Sequence, residues 1–203
     1  MVDPWRLSAQ GLRAHFARAP DWEPETRQEP LLKPGTTPRD AAVLMALVPR
    51  KEMMLVLTQR PAGMATHAGQ VALPGGKVDA TDASAVAAAL REANEEIGLM
   101  PKHAEVLGAL PTYLTGTGFR VTPVVALVSP QARWRPHPRE VDEVCEVPMS
   151  HLMNPRHHYR HAVLPSGVPR AWWSIPYQDG AMERFIWGAT AGMLRNLYRY
   201  LLA

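Results

Sequence analysis

Glu92, Glu95 and Glu96 stand at i, i+3 and i+4 within a segment of helical periodicity, a spacing that gathers three carboxylates on one face. Like charges at these separations repel, so the arrangement calls for a cation among them. Oxygen donors without thiolates select a hard divalent ion, Mg²⁺ or Mn²⁺, over zinc, and Mg²⁺ characteristically completes its coordination with water and substrate phosphates. Arg91, four residues before Glu95, can hold one carboxylate through a charge-assisted pair. Upstream, Pro74-Gly75-Gly76 supplies a bend where backbone can approach a metal or phosphate with no Cβ in the way. An isolated acidic helix face more often means solvent exposure alone, so the surrounding elements decide the matter.

The helix that must carry these residues spans 84–97, with Ser84 or Asp82 as N-cap, Gly98 as left-handed C-cap and Pro101 barring continuation. Val86, Leu90, Ala93 and Ile97 fall on one side, so their burial is expected to present the three glutamates outward together. Before the helix, two apolar runs at 41–48 and 53–58, joined by a turn at 49–52, read as a hairpin of buried strands, followed by a long loop over 61–76. After it, strands are expected at about 105–113, 121–127 and 143–147, a basic loop at 133–139, an irregular stretch at 151–169, a short strand at 172–176 and a helix over 183–202. Residues 1–38 read as a helix built on Leu7, Leu12 and Phe16 plus a Pro-rich connection, and 39–203 as the compact domain.

Composition narrows the classes. The chain has 203 residues, 46% of them hydrophobic, ample for a sizeable core. Its 22 Lys and Arg against 19 Asp and Glu leave +3, too small an excess to indicate nucleic acid or a membrane surface as partner. No apolar run approaches the roughly 20 residues of a membrane span. The single cysteine, Cys145, can form no intrachain disulfide and fits a reducing compartment, so a cytoplasmic location is expected.

Gly76, Asp82, Arg91-Glu92, Glu95-Glu96 and Gly98-Leu99 together resemble the Nudix box, in which Gly and Glu precede an Arg-Glu pair, a Glu-Glu pair and a closing Gly-aliphatic. Asp82 stands where Glu is expected, one residue further upstream, and Ala93 replaces a larger aliphatic. Leu57-Thr58-Gln59-Arg60 and the stretch 67–76 are similar to the element preceding the box in the coenzyme A pyrophosphatase branch, with departures at Pro61, Ala65 and Leu73. The spacer bearing Asp79 and Asp82 and the stretch 185–192 are similar too, so the resemblance covers 41–203.

The resemblance implies an α/β/α sandwich around a mixed sheet and hydrolysis of a nucleoside diphosphate linked to another group. It assigns Mg²⁺ or Mn²⁺ to Glu92, Glu95, Glu96 and the Gly76 carbonyl, with Arg91 as their organiser. Substrate contacts fall to Arg60, His67, Gly69, Gly75 and Gly76. In the coenzyme A branch the products are 3′,5′-ADP and 4′-phosphopantetheine. The same fold with ADP-ribose or another dinucleotide is the leading rival. A nucleotide-binding module without catalysis is another, against which the intact Glu92, Glu95 and Glu96 speak. The expected partner is thus a small nucleoside diphosphate, neither nucleic acid nor membrane, with a homodimer left open.

A second acidic cluster, Glu140, Asp142, Glu143 and Glu146, enters a late strand. Relatives often draw a general base from outside the box, which makes Glu140 and Glu143 candidates, although an exposed strand edge is the commoner meaning. His157, His158 and His161 lack interleaved carboxylates or cysteines and read as a polar loop rather than a metal site. Trp172, Trp173 and Tyr177 read as core.

Overall fold

The computed structural model describes residues 1–25, 37–63, 69–163 and 170–203. In chain order the helices are α1 (Ala9–Arg18), α2 (Ala85–Ile97), α3 (Met149–Leu152) and α4 (Gly188–Leu202). The strands are β1 (Arg39–Pro49), β2 (Met53–Gln59), β3 (Val71–Ala72), β4 (Gly75–Lys77), β5 (Ala104–Ala109), β6 (Tyr113–Leu114), β7 (Phe119–Val128), β8 (Glu143–Pro148), β9 (Tyr159–Val163), β10 (Arg170–Asp179) and β11 (Met182–Trp187).

β1 is apolar along both faces because both are covered. Ala42, Leu44, Ala46 and Val48 pack with Val124 and Ala126 of β7 against Ala88, Ala89, Ala93 and Ile97 of α2. Met45 and Leu47 join Leu55, Leu57, Val125 and Leu127 on the opposite face, under Leu194, Leu197 and Leu201 of α4. The result is a helix, sheet, helix sandwich. The main sheet runs β3-β2-β1-β7-β5, with β4 also on β1, β6 on β7 and β8 on β2. It is mixed: β1 lies parallel to β7 and antiparallel to β2 and β4. A second sheet, β11-β10-β9, is antiparallel throughout. α1 docks through buried Leu12 and through His15, whose Nε2 meets the Tyr200 carbonyl at 2.7 Å. No helix among the described residues is long and apolar enough to cross a membrane.

The β1–β2 hairpin forms as expected, with Leu47 opposite Leu55 and Pro49 opposite Met53. Five expectations are corrected. The strand expected over 105–113 breaks into β5 and β6, with Pro111, which has no N–H to give a ladder, between them. The 151–169 stretch is not wholly irregular, since it holds β9, and the expected short strand at 172–176 lengthens into β10. The C-terminal helix begins at Gly188, not at 183. Along β11, Arg184 and Ile186 are buried while Glu183, Phe185 and Trp187 are exposed, a period of two that belongs to a strand.

The fifth correction bears on chemistry. Glu96 does not face outward with Glu95; it is only 6% exposed. Small side chains at Ala88, Ala89 and Ala93 let α2 lie close on the sheet, rotated so that Val86 and Leu90 are only half-buried and Glu96 turns inward.

An ion-pair network fixes the loop between β7 and β8. Glu146 accepts from Arg50 Nη2 at 2.6 Å and from Trp134 Nε1 at 2.7 Å, and Arg50 also donates to the carbonyls of Pro130 and Ala132. Arg50 holds the Glu146 carboxyl below its ordinary value, so this contribution is complete above the unfolded pKa near 4.5 and is lost as pH falls through the lower folded value. Glu146→Gln is expected to cost about 1–2 kcal/mol at neutral pH. Urea titrations of variant and wild type should converge on acidification; a gap unchanged at acid pH would show that the charge contributes nothing.

Candidate active site

β1 shares one edge between two partners: residues 41–43 pair with β4, and 47–49 pair with β2. Between them the Leu44 N–H donates to the Pro74 carbonyl at 2.8 Å, so the Pro74-Gly75-Gly76 segment is laid directly on the strand. Gly75 has φ +153°, and a Cβ there would stand 2.3 Å from the Ala42 carbonyl oxygen. Only glycine fits. Gly75 N–H then donates to Glu96 Oε2 at 3.0 Å. A Cβ on Gly76 would lie 2.5 Å from Glu92 Oε1, so the Glu92 carboxylate rests on bare backbone.

α2 is held at both ends. Ser84 Oγ accepts from Ala87 N–H, and Gly98, at φ +71°, returns its N–H to the Asn94 carbonyl. Asp82 is therefore not the N-cap. It lies on the guanidinium of Arg91, whose Nε and Nη2 donate to Asp82 Oδ1 and Oδ2 at 3.0 and 2.9 Å. The remaining donors reach Glu92 Oε1 and Glu95 Oε2, each at 3.0 Å, and the Lys77 carbonyl at 3.1 Å. One planar fork thus ties the spacer, the glycine segment and two glutamates together.

The electrostatics follow from burial. Desolvation pushes the Glu92 carboxyl up against the opposing pull of Arg91. It pushes the Glu96 carboxyl up to about 7, a rise that the Gly75 N–H and the Arg60 charge oppose and that Glu92 and Glu140 reinforce. Asp82, paired with the Arg91 fork, is held low.

Arg60 follows β2. Its N–H donates to the Gln70 carbonyl at 3.0 Å and its carbonyl accepts from Gly69 N–H at 3.2 Å. Its Nε is buried with no hydrogen-bond partner among the described residues. Glu140 arrives from the opposite direction, on a loop that caps the end of α2: Arg135 N–H donates to the Ile97 carbonyl and His137 N–H to the Glu96 carbonyl, both at 2.8 Å. Of the sequence candidates, Arg60, Gly75, Gly76, Arg91, Glu92, Glu95, Glu96 and Glu140 thus form one neighbourhood, with Gly69 beside Arg60. Glu143 is engaged elsewhere, paired through both carboxylate oxygens with Arg184 at 2.7 Å. His67 lies outside the described residues. The three late histidines are tied to local groups: His157 to the His151 carbonyl, His158 to the Leu152 carbonyl and His161 to Ser174 Oγ.

Among the described residues no three Asp, Glu, His or Cys side chains already converge as a metal cage. Glu92 and Glu95 are turned onto Arg91, and Glu96 onto Gly75. The donor set nevertheless suits a hard divalent cation: carboxylate oxygens whose burial disfavours their charge, packed on backbone from which a Cβ is excluded.

Sequence reasoning left two participants unidentified. Asp82 reads in the sequence as an alternative N-cap and as a departure from the family pattern, and its two-pronged pair with Arg91 is visible only in the structure. Arg184, 3% exposed, also donates to Gln59 Oε1 at 2.6 Å and to Asp179, binding the second sheet to the end of β2. The alternation of 182–187 could have revealed it.

A family model described as the NUDIX domain matches residues 37–165. The chain is 43% identical over 172 residues to a Salmonella paratyphi B protein described as an uncharacterized Nudix hydrolase, NudL, an alignment covering 82% of this chain and 88% of that protein. The Salmonella newport protein of the same description matches equally. Among solved structures, the Nudix hydrolase RenU of M. smegmatis is similar with a TM-score of 0.49 at 25% identity, covering 57% of this chain and 74% of that one. The MutT protein of Methanosarcina mazei Go1 gives 0.47 at 22%, covering 60% and 84%. The family match spans the strand, glycine segment and helix that build this site, and the chain belongs to the Nudix hydrolase family.

Proposed function

We propose that the protein is a Mg²⁺- or Mn²⁺-dependent pyrophosphohydrolase that cleaves the diphosphate bond of coenzyme A or its thioesters, giving 3′,5′-ADP and 4′-phosphopantetheine or its acyl form. The observation that carries the reading is the Arg91-ordered set of Glu92, Glu95 and Glu96 against Gly75-Gly76, with Arg60 beside it on an element similar to that of the coenzyme A branch. The hydrolase domain in this reading is 39–203, preceded by the helix and connection of 1–38.

Glu92, Glu95, Glu96 and the Gly76 carbonyl would hold the metal, which when bound neutralises the adjoining phosphates, lowers the pKa of the attacking water and stabilises the leaving phosphate. Arg91 keeps two of those carboxylates in place. Glu140, unpaired with any arginine among the described residues, is the better base of the two outside the box, since Arg184 holds the Glu143 carboxyl low. Arg60, whose buried Nε has no partner among the described residues, offers a charge-assisted contact to a phosphate. As water oxygen bonds to one phosphorus, the bridging P–O bond breaks and its electron pair leaves with the other phosphate. Mass analysis of products from coenzyme A, acetyl-coenzyme A, ADP-ribose, NADH and diadenosine polyphosphates tests the reading. Release of 3′,5′-ADP from the coenzyme A substrates is expected, and preferential cleavage of ADP-ribose would overturn the branch assignment.

Glu95→Gln and Glu96→Gln should each lower kcat by at least about a hundredfold with folding retained. Near-normal turnover of both at saturating Mg²⁺ would remove the box from the mechanism. Arg91→Ala should weaken apparent metal affinity and rate, and Arg91→Lys should restore only part, because an ammonium cannot span both Asp82 oxygens and the two glutamates. Full rescue by Lys in metal titrations would mean that charge alone suffices. Finally, kcat/KM should favour coenzyme A over dephospho-coenzyme A by about tenfold, roughly 1.4 kcal/mol, with the ratio shrinking as salt is added. Equal rates at low salt would show that the 3′-phosphate is not read.

A further inference from the structure

A cavity of about 500 Å³ opens beside the candidate site, lined by Gln59, Gly69, Gln70, Val71, Glu183, Phe185 and Trp187. Its position is set by the same strand end as Arg60: Gln59 precedes that arginine, and Gly69 and Gln70 pair with its backbone. The opposite wall is β11, kept in place by the buried Arg184 through Gln59, Glu143 and Asp179. Alternation along β11 sends Arg184 and Ile186 inward and leaves Phe185 and Trp187, 43% and 40% exposed, on the cavity side. Two large, partly exposed aromatic residues one pleat apart form a substantial apolar surface. The size is that of a small-ligand pocket.

We infer that this cavity receives the pantetheine arm of the substrate, an inference that rests on the coenzyme A reading. The substrate has two dissimilar halves. The adenosine half bears a 3′-phosphate dianion, whereas the pantetheine half is uncharged and combines two amides with apolar methyl and methylene groups. The described lining residues include one carboxylate, Glu183, and no Lys, Arg or His. A phosphate dianion beside Glu183 would be repelled at short range. Arg184 does not relieve that repulsion, because Glu143 and Asp179 already neutralise it. An uncharged arm meets no such penalty. Its amides find hydrogen-bonding groups at Gln59, Gln70 and Glu183, and its methyl groups find Phe185, Trp187 and Val71. The diphosphate is then left at Arg60 and the carboxylates, and the adenosine half extends away from the cavity.

The test uses Phe185→Ala and Trp187→Ala in the full chain, with 4′-phosphopantetheine and 3′,5′-ADP as separate inhibitors of coenzyme A hydrolysis. Both side chains lie at the surface, so truncation should leave the fold intact, and Trp187→Phe retains a ring. Each alanine variant should raise KM for coenzyme A and weaken inhibition by 4′-phosphopantetheine by about tenfold. Inhibition by 3′,5′-ADP should change less than about twofold, and Trp187→Phe should recover most of the loss. If the loss appears instead with 3′,5′-ADP, the cavity takes adenine and the inference is overturned, as it also is if neither inhibitor responds. Wild-type protein that does not hydrolyse coenzyme A would bring down the functional reading itself, an outcome distinct from active enzyme with unresponsive variants.

Discussion

Where α2 crosses the glycine segment, backbone and carboxylate approach so closely that a methyl group on Gly75 would strike β1 and one on Gly76 would strike Glu92. The alanines of α2 and the small residues of β1 bring the helix down to this depth, and the Pro74 hydrogen bond to Leu44 fixes the segment beneath it. Burying Glu96 among these groups is costly for a charge, which is why the Gly75 N–H and a neighbouring arginine face it. A looser helix would solvate Glu96 and lose the alignment of both glutamates. The packing that stabilises the sandwich therefore also sets the donor geometry.

Charge balance then limits what can complete the site. Two arginines, Arg60 and Arg91, face the carboxylates of Asp79, Asp82, Glu92, Glu95, Glu96 and Glu140. Arg91 alone serves four of them, and Asp82 takes its best-aligned pair of donors. The glutamates consequently share what is left of the guanidinium. Part of that surplus is relieved by burial itself, which pushes the Glu92 and Glu96 carboxyls up and so disfavours their charged forms. Asp82 in place of a glutamate suits this arrangement: its shorter carboxylate, placed in the loop ahead of the Ser84 cap, meets the fork while also accepting from Asp79 N–H.

Much of this was legible beforehand, and the reasons are local. The 84–97 helix announced itself by Ser84 and Gly98, the β1–β2 hairpin by two apolar runs about a turn, and the carboxylate set by its spacing. The direction of Glu96 was not legible, since periodicity reports which residues share a face and cannot say which arc a flat, alanine-rich helix will bury. The stretch of β11 reads as helix in the sequence because Arg184 looks like a surface cation until Glu143, Gln59 and Asp179 are seen around it. Those partners lie 41 and 125 residues away for Glu143 and Gln59, beyond the reach of any local pattern.

The end of β2 is where these local and distant signals meet. Gln59 pairs with Val71 of β3 and Glu143 of β8, its carbonyl accepts from Asp142 N–H, and its side chain accepts from Arg184. The next residue, Arg60, lies close enough for its charge to oppose the rise of the Glu96 carboxyl. Two environments of different character thereby begin one residue apart: one of arginine and clustered carboxylates, and a cavity of amides and aromatic rings with the single carboxylate of Glu183. Because both hang on one strand terminus, a substrate that spanned them would be read as a single rigid distance between its charged and uncharged parts. Movement of β11 relative to β2 would change that distance, and Arg184, buried and bound on three sides, is the residue that opposes it.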